Sequence, residues 1–216
     1  MNLTTIRKLG GISLIGGSLL LGAYAVLFPL LLPVEARTTD FSRLVLSPHW
    51  VWITSMAFLG VMLMMSGFGA VYTRLCSQAG WTGLVGFVFV ELAYLLQACK
   101  VTWELFLYPV IAQNEAAVVL FRGQILRQSA PVVAFRAGAS LTILVGIVLF
   151  CLALVRSRAF PRSGGLLVFV GALIYAAGPR INVLVGVSGI FVFALGCLVL
   201  GLRLMRSDVT TTPNPQ

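Results

Sequence analysis

The sequence predicts an all-α integral membrane protein of about six transmembrane helices in one bundle, with a short interfacial helix in the long third loop. Three observations carry that prediction. Of the 216 residues, 59% are hydrophobic and 10% charged, against roughly 25% charged in soluble domains; mean hydropathy is +1.02. A soluble protein of this size cannot hide that much apolar surface, so most of it faces lipid or other spans. Second, the apolar residues fall into runs, at about 9–34, 50–75, 82–108, 132–155, 164–179 and 182–204. Most reach the roughly 20 residues that cross a bilayer core as a helix. Third, the 15 Lys and Arg residues are scattered mostly to the ends of those runs, where they set orientation and meet anionic headgroups.

The first run, Leu9–Val34, has 26 residues and no charge. Its start imitates a secretory signal, with Arg7 and Lys8 ahead of it and Ala23-Tyr24-Ala25 as a cleavage-like site. The apolar stretch continues well past that site, so an uncleaved first span is expected. Pro29 and Pro33 should kink or end it. In the connector after it, Asp40 is placed to cap one turn in which Phe41, Leu44 and Val45 share a face. An irregular interfacial loop fits the same residues. Trp50 and Trp52 anchor the second span, and Cys76–Gly80 reads as a tight turn into the third.

Trp81 and Trp103 bracket 21 residues of that third span, and tryptophans favour the two membrane–water interfaces. In the loop that follows, Val118, Phe121, Ile125 and Leu126 fall on one side of residues 115–128. That segment is too short to span and reads as a helix lying in the interface, weakened by Gly123. Arg136 lies in the first turns of the fourth span. Arg156, Arg158 and Arg162 form a basic turn, and Gly178-Pro179-Arg180 divides the last apolar stretch into a hairpin of two spans. The polar tail 207–216 is expected to be disordered.

About six spans put both termini on one side. That side would hold Arg7, Lys8, Arg74, Arg156, Arg158, Arg162, Arg203 and Arg206. The other would hold Arg37, Arg43, Arg122, Arg127, Arg136 and Arg180. The excess, and its concentration at 156–162, places both termini in the cytoplasm, and a bacterial cytoplasmic membrane is the expected location.

Composition also narrows function. No basic run is interleaved with aromatics in a polar segment, which argues against nucleic acid. Cys76, Cys99, Cys151 and Cys197 are isolated and read as small apolar fillers, giving no metal site or disulfide framework. His49 is the single histidine, so no cofactor held by several imidazoles is expected. Nucleophile-elbow, HExxH and phosphate-loop motifs are all missing, and catalytic residues are not assigned.

The remaining candidates are ionisable and polar groups of the third span. On a helix Gln97, Lys100 and Glu104 share one narrow face, and Glu91 and Ala98 another, with Tyr94 between them. The plainer reading of Lys100 and Glu104 is an i,i+4 pair snorkelling to the interface. Glu91 is one residue from the midpoint between the tryptophans, about 18 Å below Trp103 at ~1.5 Å per residue. It must be protonated, paired across helices or facing water. Its plainest role is a neutral carboxyl bonded to a neighbour such as Tyr94, Gln97, Tyr175, Ser140 or Thr142. By depth alone, His49, Arg136, Arg180, Lys100 and Glu104 are placed to line a vestibule above it. The expected function is a non-enzymatic bundle that binds a membrane lipid, an apolar small molecule or a partner subunit, the last including a second copy. The alternative is a small transporter or proton-coupled carrier using Glu91. A lipid-directed enzyme using His49 with Glu104 is the third reading.

Overall fold

A computed structural model describes residues 3–34, 36, 40–122, 129–177 and 182–206. The expected disordered tail 207–216, residues 123–128 of the expected interfacial helix and residues 178–181 of the expected hairpin, Arg180 among them, lie outside the described residues. The described elements are all helical. Four of them are long and apolar enough to cross a membrane: Thr4–Leu31, Trp50–Ala112, Ala130–Arg156 and Leu184–Arg206.

Helix α1, Leu3–Leu31, carries Pro29 in its last turn and stops short of Pro33, whose ring disfavours helical backbone at the residue before it. Helix α2, Phe41–Val45, is the single turn expected after Asp40. The Arg43 backbone N–H donates to the Asp40 carboxylate at 3.1 Å, and Phe41, Leu44 and Val45 are all buried.

Helix α3 runs from Trp50 to Thr102, 53 residues. Straight, it would measure ~80 Å, well over twice a ~30 Å hydrocarbon core. It does not run straight, because Gly80 breaks it with φ 55° and ψ −162°, a backbone region open essentially to glycine alone. The two limbs, 50–79 and 81–102, fold back on each other. Tyr72 stacks on Phe87 with ring centroids 4.3 Å apart, Phe68 on Tyr94 at 5.7 Å, and Trp50 on Tyr108 at 6.4 Å. Each pair is nearly equidistant in sequence from Gly80, as an antiparallel hairpin requires.

Past α3 come a π-helical segment, Trp103–Leu107, then α4, Tyr108–Ala112, and α5, Glu115–Arg122. The expected third-loop helix therefore exists over its first half. Its Val118 is buried in a small cluster with Phe41, Leu44, Val45 and Trp50. Helix α6 spans Ala130–Arg156, α7 Arg162–Ala177 and α8 Val183–Arg206. At 16 residues, α7 is apolar but shorter than the four long helices.

Helix α1 packs on the first limb of α3 and on α8; α6 packs on the second limb; α7 packs on α8 and, more lightly, on α6. The limb–α6 contact depends on two glycines, one on each helix. A Cβ on Gly146 would sit 2.7 Å from the Val90 nitrogen, and one on Gly86 would meet the Phe150 and Leu149 backbone. The main core between these helices includes Leu14, Met64, Phe68, Tyr94, Phe150, Leu154, Cys197 and Leu200.

Contacts along the helices define two ends. The start of α1 meets the end of α8 at Gly11 and Gly201. Arg74, near the Gly80 fold, donates from Nη1 to the Arg203 carbonyl at 2.8 Å, and Arg158 N–H donates to Gln78 Oε1 at 2.9 Å. This basic end carries Arg7, Lys8, Arg74, Arg156, Arg158, Arg162, Arg203 and Arg206, and among the described residues no Asp or Glu. The opposite end holds α2, α4, α5, the π segment, the start of α3 and the start of α6.

Candidate binding pocket

The site begins with a local defect that proline explains. In an α-helix the Glu104 carbonyl would accept from Tyr108 N–H. Here Tyr108 N–H donates instead to the Trp103 carbonyl, the wider π spacing. On that spacing the Glu104 carbonyl would await residue 109, and Pro109 has no N–H. The orphaned oxygen is taken by Trp50, whose buried indole Nε1–H donates to it at 2.9 Å. An apolar interior makes an unmet carbonyl costly, and a donor 54 residues away in sequence meets it. Such π segments within helices are frequent at functional sites.

Beside the wider turn and the Trp50 anchor lies a cavity of about 400 Å³ between α1, α2, α3, the π segment, α4 and α6, within the usual range for small-ligand pockets. Six aromatic rings wall it: Phe28, Phe41, Trp50, Trp103, Tyr108 and Phe135. They are braced pairwise. Phe28 lies 6.1 Å from Trp50, Phe41 is edge-on to Tyr108 at 5.4 Å, and Trp103 stacks on Phe135 at 6.0 Å.

The polar groups of the cavity are Gln97, Lys100, Glu104, Arg136 and Ser140. Three of the sequence candidates, Gln97, Lys100 and Glu104, thus reach the pocket from the one helical face assigned to them, and Arg136 joins from α6. Lys100 Nζ lies 3.4 Å from Glu104 Oε1, the i,i+4 pair expected. Snorkelling does not describe its acid member, however: Glu104 is only 8% exposed, held in by the π segment it belongs to. Arg136 is exposed, and its guanidinium has no ion pair or hydrogen bond within the described residues. Ser140 donates to the Arg136 carbonyl at 2.8 Å.

The other candidates stand apart. His49 is outside the pocket lining, and its Nδ1 accepts from Trp52 Nε1–H at 3.2 Å. No His49–Glu104 pair is formed. Tyr94 is buried in the main core, stacked on Phe68. Glu91 lies six residues below Gln97, about 9 Å deeper along the helix, and its Oε1 is buried with no hydrogen-bond partner. The hydroxyls expected to serve it are occupied in their own helix, Ser140 as above and Thr142 on the Gly138 carbonyl at 2.7 Å. Of the residues assigned by depth to a vestibule, Lys100, Glu104 and Arg136 line this cavity and His49 does not.

Sequence reasoning missed the aromatic wall and the π segment. Pro109 following a run of helix was the one signal for the segment. From the sequence, Trp50 reads only as an interfacial anchor. No protein-family model matches this chain, and neither does any curated protein or solved structure.

Proposed function

We propose that this chain is a six-span integral membrane protein that binds an amphiphile, a membrane lipid above all, in the aromatic pocket, without catalysing a reaction. The spans are α1, the two limbs of α3, α6, α7 and α8, packed as one bundle. The start of α1 and the end of α8 then share a side, and the eight cations of the basic end make that side cytoplasmic. The observation that carries the binding reading is the lining itself, where six rings stand beside Gln97, Lys100, Glu104 and Arg136 in one cavity. Trp and Tyr rings suit the interfacial level where a lipid's headgroup meets its chains. A partner subunit fits less well, because it would have to match a concave site with mixed charge.

The test is photo-crosslinking of the purified protein in nanodiscs with a lipid carrying a diazirine on its glycerol backbone. Adducts should map to the Trp103 and Phe135 peptides. Adducts spread evenly over the exposed apolar faces, with none enriched there, would reject the pocket as a lipid site.

A second reading has its own observation. Glu91 keeps a buried oxygen without a partner, the condition of a group that takes up and releases a proton or cation. On that reading the protein is a proton-coupled carrier, with the pocket as its mouth. Uptake into liposomes driven by a pH gradient, lost in Glu91→Gln, would select it; uptake indifferent to that substitution would dismiss it.

A further inference from the structure

Building on the lipid-binding reading, we infer that the pocket selects a headgroup carrying a net negative charge, a phosphodiester without an ammonium, and that Arg136 is the residue that reads it. The charge count comes first. Two cations, Lys100 and Arg136, face the cavity with one carboxylate, Glu104. Lys100 and Glu104 hold each other at 3.4 Å, so the cavity has one positive charge left over, on Arg136. The guanidinium is free of ion pairs and hydrogen bonds within the described residues, and its planar fork matches two phosphate oxygens at once.

The same arrangement disfavours a zwitterionic head. Its ammonium would look for a carboxylate, and Glu104 is both occupied by Lys100 and only 8% exposed. Seating the ammonium there means displacing Lys100. Aromatic faces alone also attract ammonium groups, so the acid–lysine pair is what turns the preference toward the anion. Outside the cavity, Phe106 in the π segment, Val110 in α4 and Val133 on α6 are exposed apolar residues. Each lies within two residues in sequence of one that lines the cavity, and offers acyl chains an apolar surface. The ligand class is therefore an anionic phospholipid, and a soluble phosphate ester shares only half of this chemistry.

The experiment uses the full chain in nanodiscs of equimolar phosphatidylglycerol and phosphatidylcholine, followed by gentle extraction and native mass spectrometry of retained lipid. Retention of phosphatidylglycerol should exceed that of phosphatidylcholine by about tenfold, the scale of one charged hydrogen-bonded contact. Arg136→Gln should bring the two near parity, and Arg136→Lys should restore most of the difference because it keeps the charge. Because Arg136 is exposed and has no partner among the described residues, these variants should melt within a few degrees of the parent. Arg203→Gln, at the basic end, should leave the preference unchanged. Equal retention by the parent protein, or a preference that survives Arg136→Gln, would overturn the inference while leaving lipid binding intact. Absence of any pocket adduct in the crosslinking test defeats the lipid reading itself. A third arm adds millimolar glycerol 3-phosphate, which should not displace the lipid; displacement by that chain-free anion would show that the site serves a soluble phosphate ester and would overturn the lipid assignment.

Discussion

Where α1 begins and α8 ends, eight cations meet no acid among the described residues and the helices are clasped by polar contacts such as Arg74 to the Arg203 carbonyl. At the opposite end two cations and one buried carboxylate surround a cavity walled by six aromatic rings. The first end is held by charge at the surface and by groups that close helix termini. The second is held by a misfit, a helix widened at Trp103–Leu107 and repaired from a distant tryptophan. Both ends carry a hollow of similar size, but the one at the basic end is lined by Arg158 and Arg203 with Phe160 as its one ring, and only the second combines cations, an acid and an aromatic wall. A uniformly basic end suits fixing orientation. A hollow of mixed charge suits recognition.

The largest expected effect tests whether the pocket end rests on that repair. Trp50→Phe removes the indole donor and leaves the Glu104 carbonyl buried and unmet. Together with the lost volume this should destabilise the protein by roughly 3 kcal/mol. Pro109→Ala supplies an N–H where the π spacing lacks one, or lets the segment return to α-helix. The cost of Trp50→Phe should then fall by at least ~1 kcal/mol in the Pro109→Ala background. Strictly additive melting data for the two substitutions would show that proline and tryptophan are not coupled and that the misfit has another cause.

The turn at the basic end should respond to backbone conformation alone. A Cβ on Gly80 would meet nothing within 4 Å, yet its φ is 55°. Gly80→Ala should therefore cost about 1–2 kcal/mol through strain and not through crowding. A fully neutral result would mean that the hairpin turns elsewhere. Thermal unfolding in detergent suffices to read it, and lipid retention in the pocket should be untouched.

Much of the first end was legible in the sequence, and little of the second. Charges at segment ends can be counted, and Asp40 with Phe41, Leu44 and Val45 announces a capped turn by spacing alone. The face shared by Gln97, Lys100 and Glu104 followed from helical periodicity, and so did the lysine–glutamate pair. What could not be read was which helix supplies Arg136's neighbours, or that Trp50 turns inward. Those facts depend on Gly80 bringing residues 50 and 108 together, and on Gly86 meeting Phe150 and Gly146 meeting Val90, which sets α6 against the second limb. A one-dimensional pattern contains the glycines but not their partners. Glu104's burial escaped for the same reason, since an acid near a span's end reads as interfacial until the π segment turns it inward.

The Arg74 clasp gives a smaller effect and the reverse control. Its guanidinium serves a carbonyl in the last turn of α8, where helix carbonyls lack partners and a cation suits the helix dipole. It also lies over the Phe160 ring at 5.2 Å. Arg74→Leu should destabilise by about 1 kcal/mol and leave lipid selectivity in the pocket as it was. A change in selectivity would couple the two ends and undo their separation.

The smallest effect belongs to Glu91, which lies between the ends and is claimed by neither. Sequence depth suggested a carboxyl bonded to a neighbouring helix, and on that view Glu91→Leu should hurt by orphaning the partner. The structure gives no such partner: among the described residues nothing bonds to the buried Oε1, and Ser140 and Thr142 donate within their own helix. Burying a polar group without a hydrogen bond is unfavourable. Replacing it with leucine should therefore be neutral or should stabilise by up to ~1 kcal/mol. Glu91→Gln, which retains a polar head with the same unmet need, should lie close to the parent. Melting temperatures of the two variants decide the matter. A loss of more than ~2 kcal/mol in Glu91→Leu would reveal a hidden partner and return the residue to a structural role. If instead the leucine variant is as stable as the parent, then the reason for an acid at this depth is not stability. The remaining reasons are functional ones, and proton-linked uptake in the same variant is the measurement that separates a carrier from a lipid-binding bundle that merely tolerates the residue.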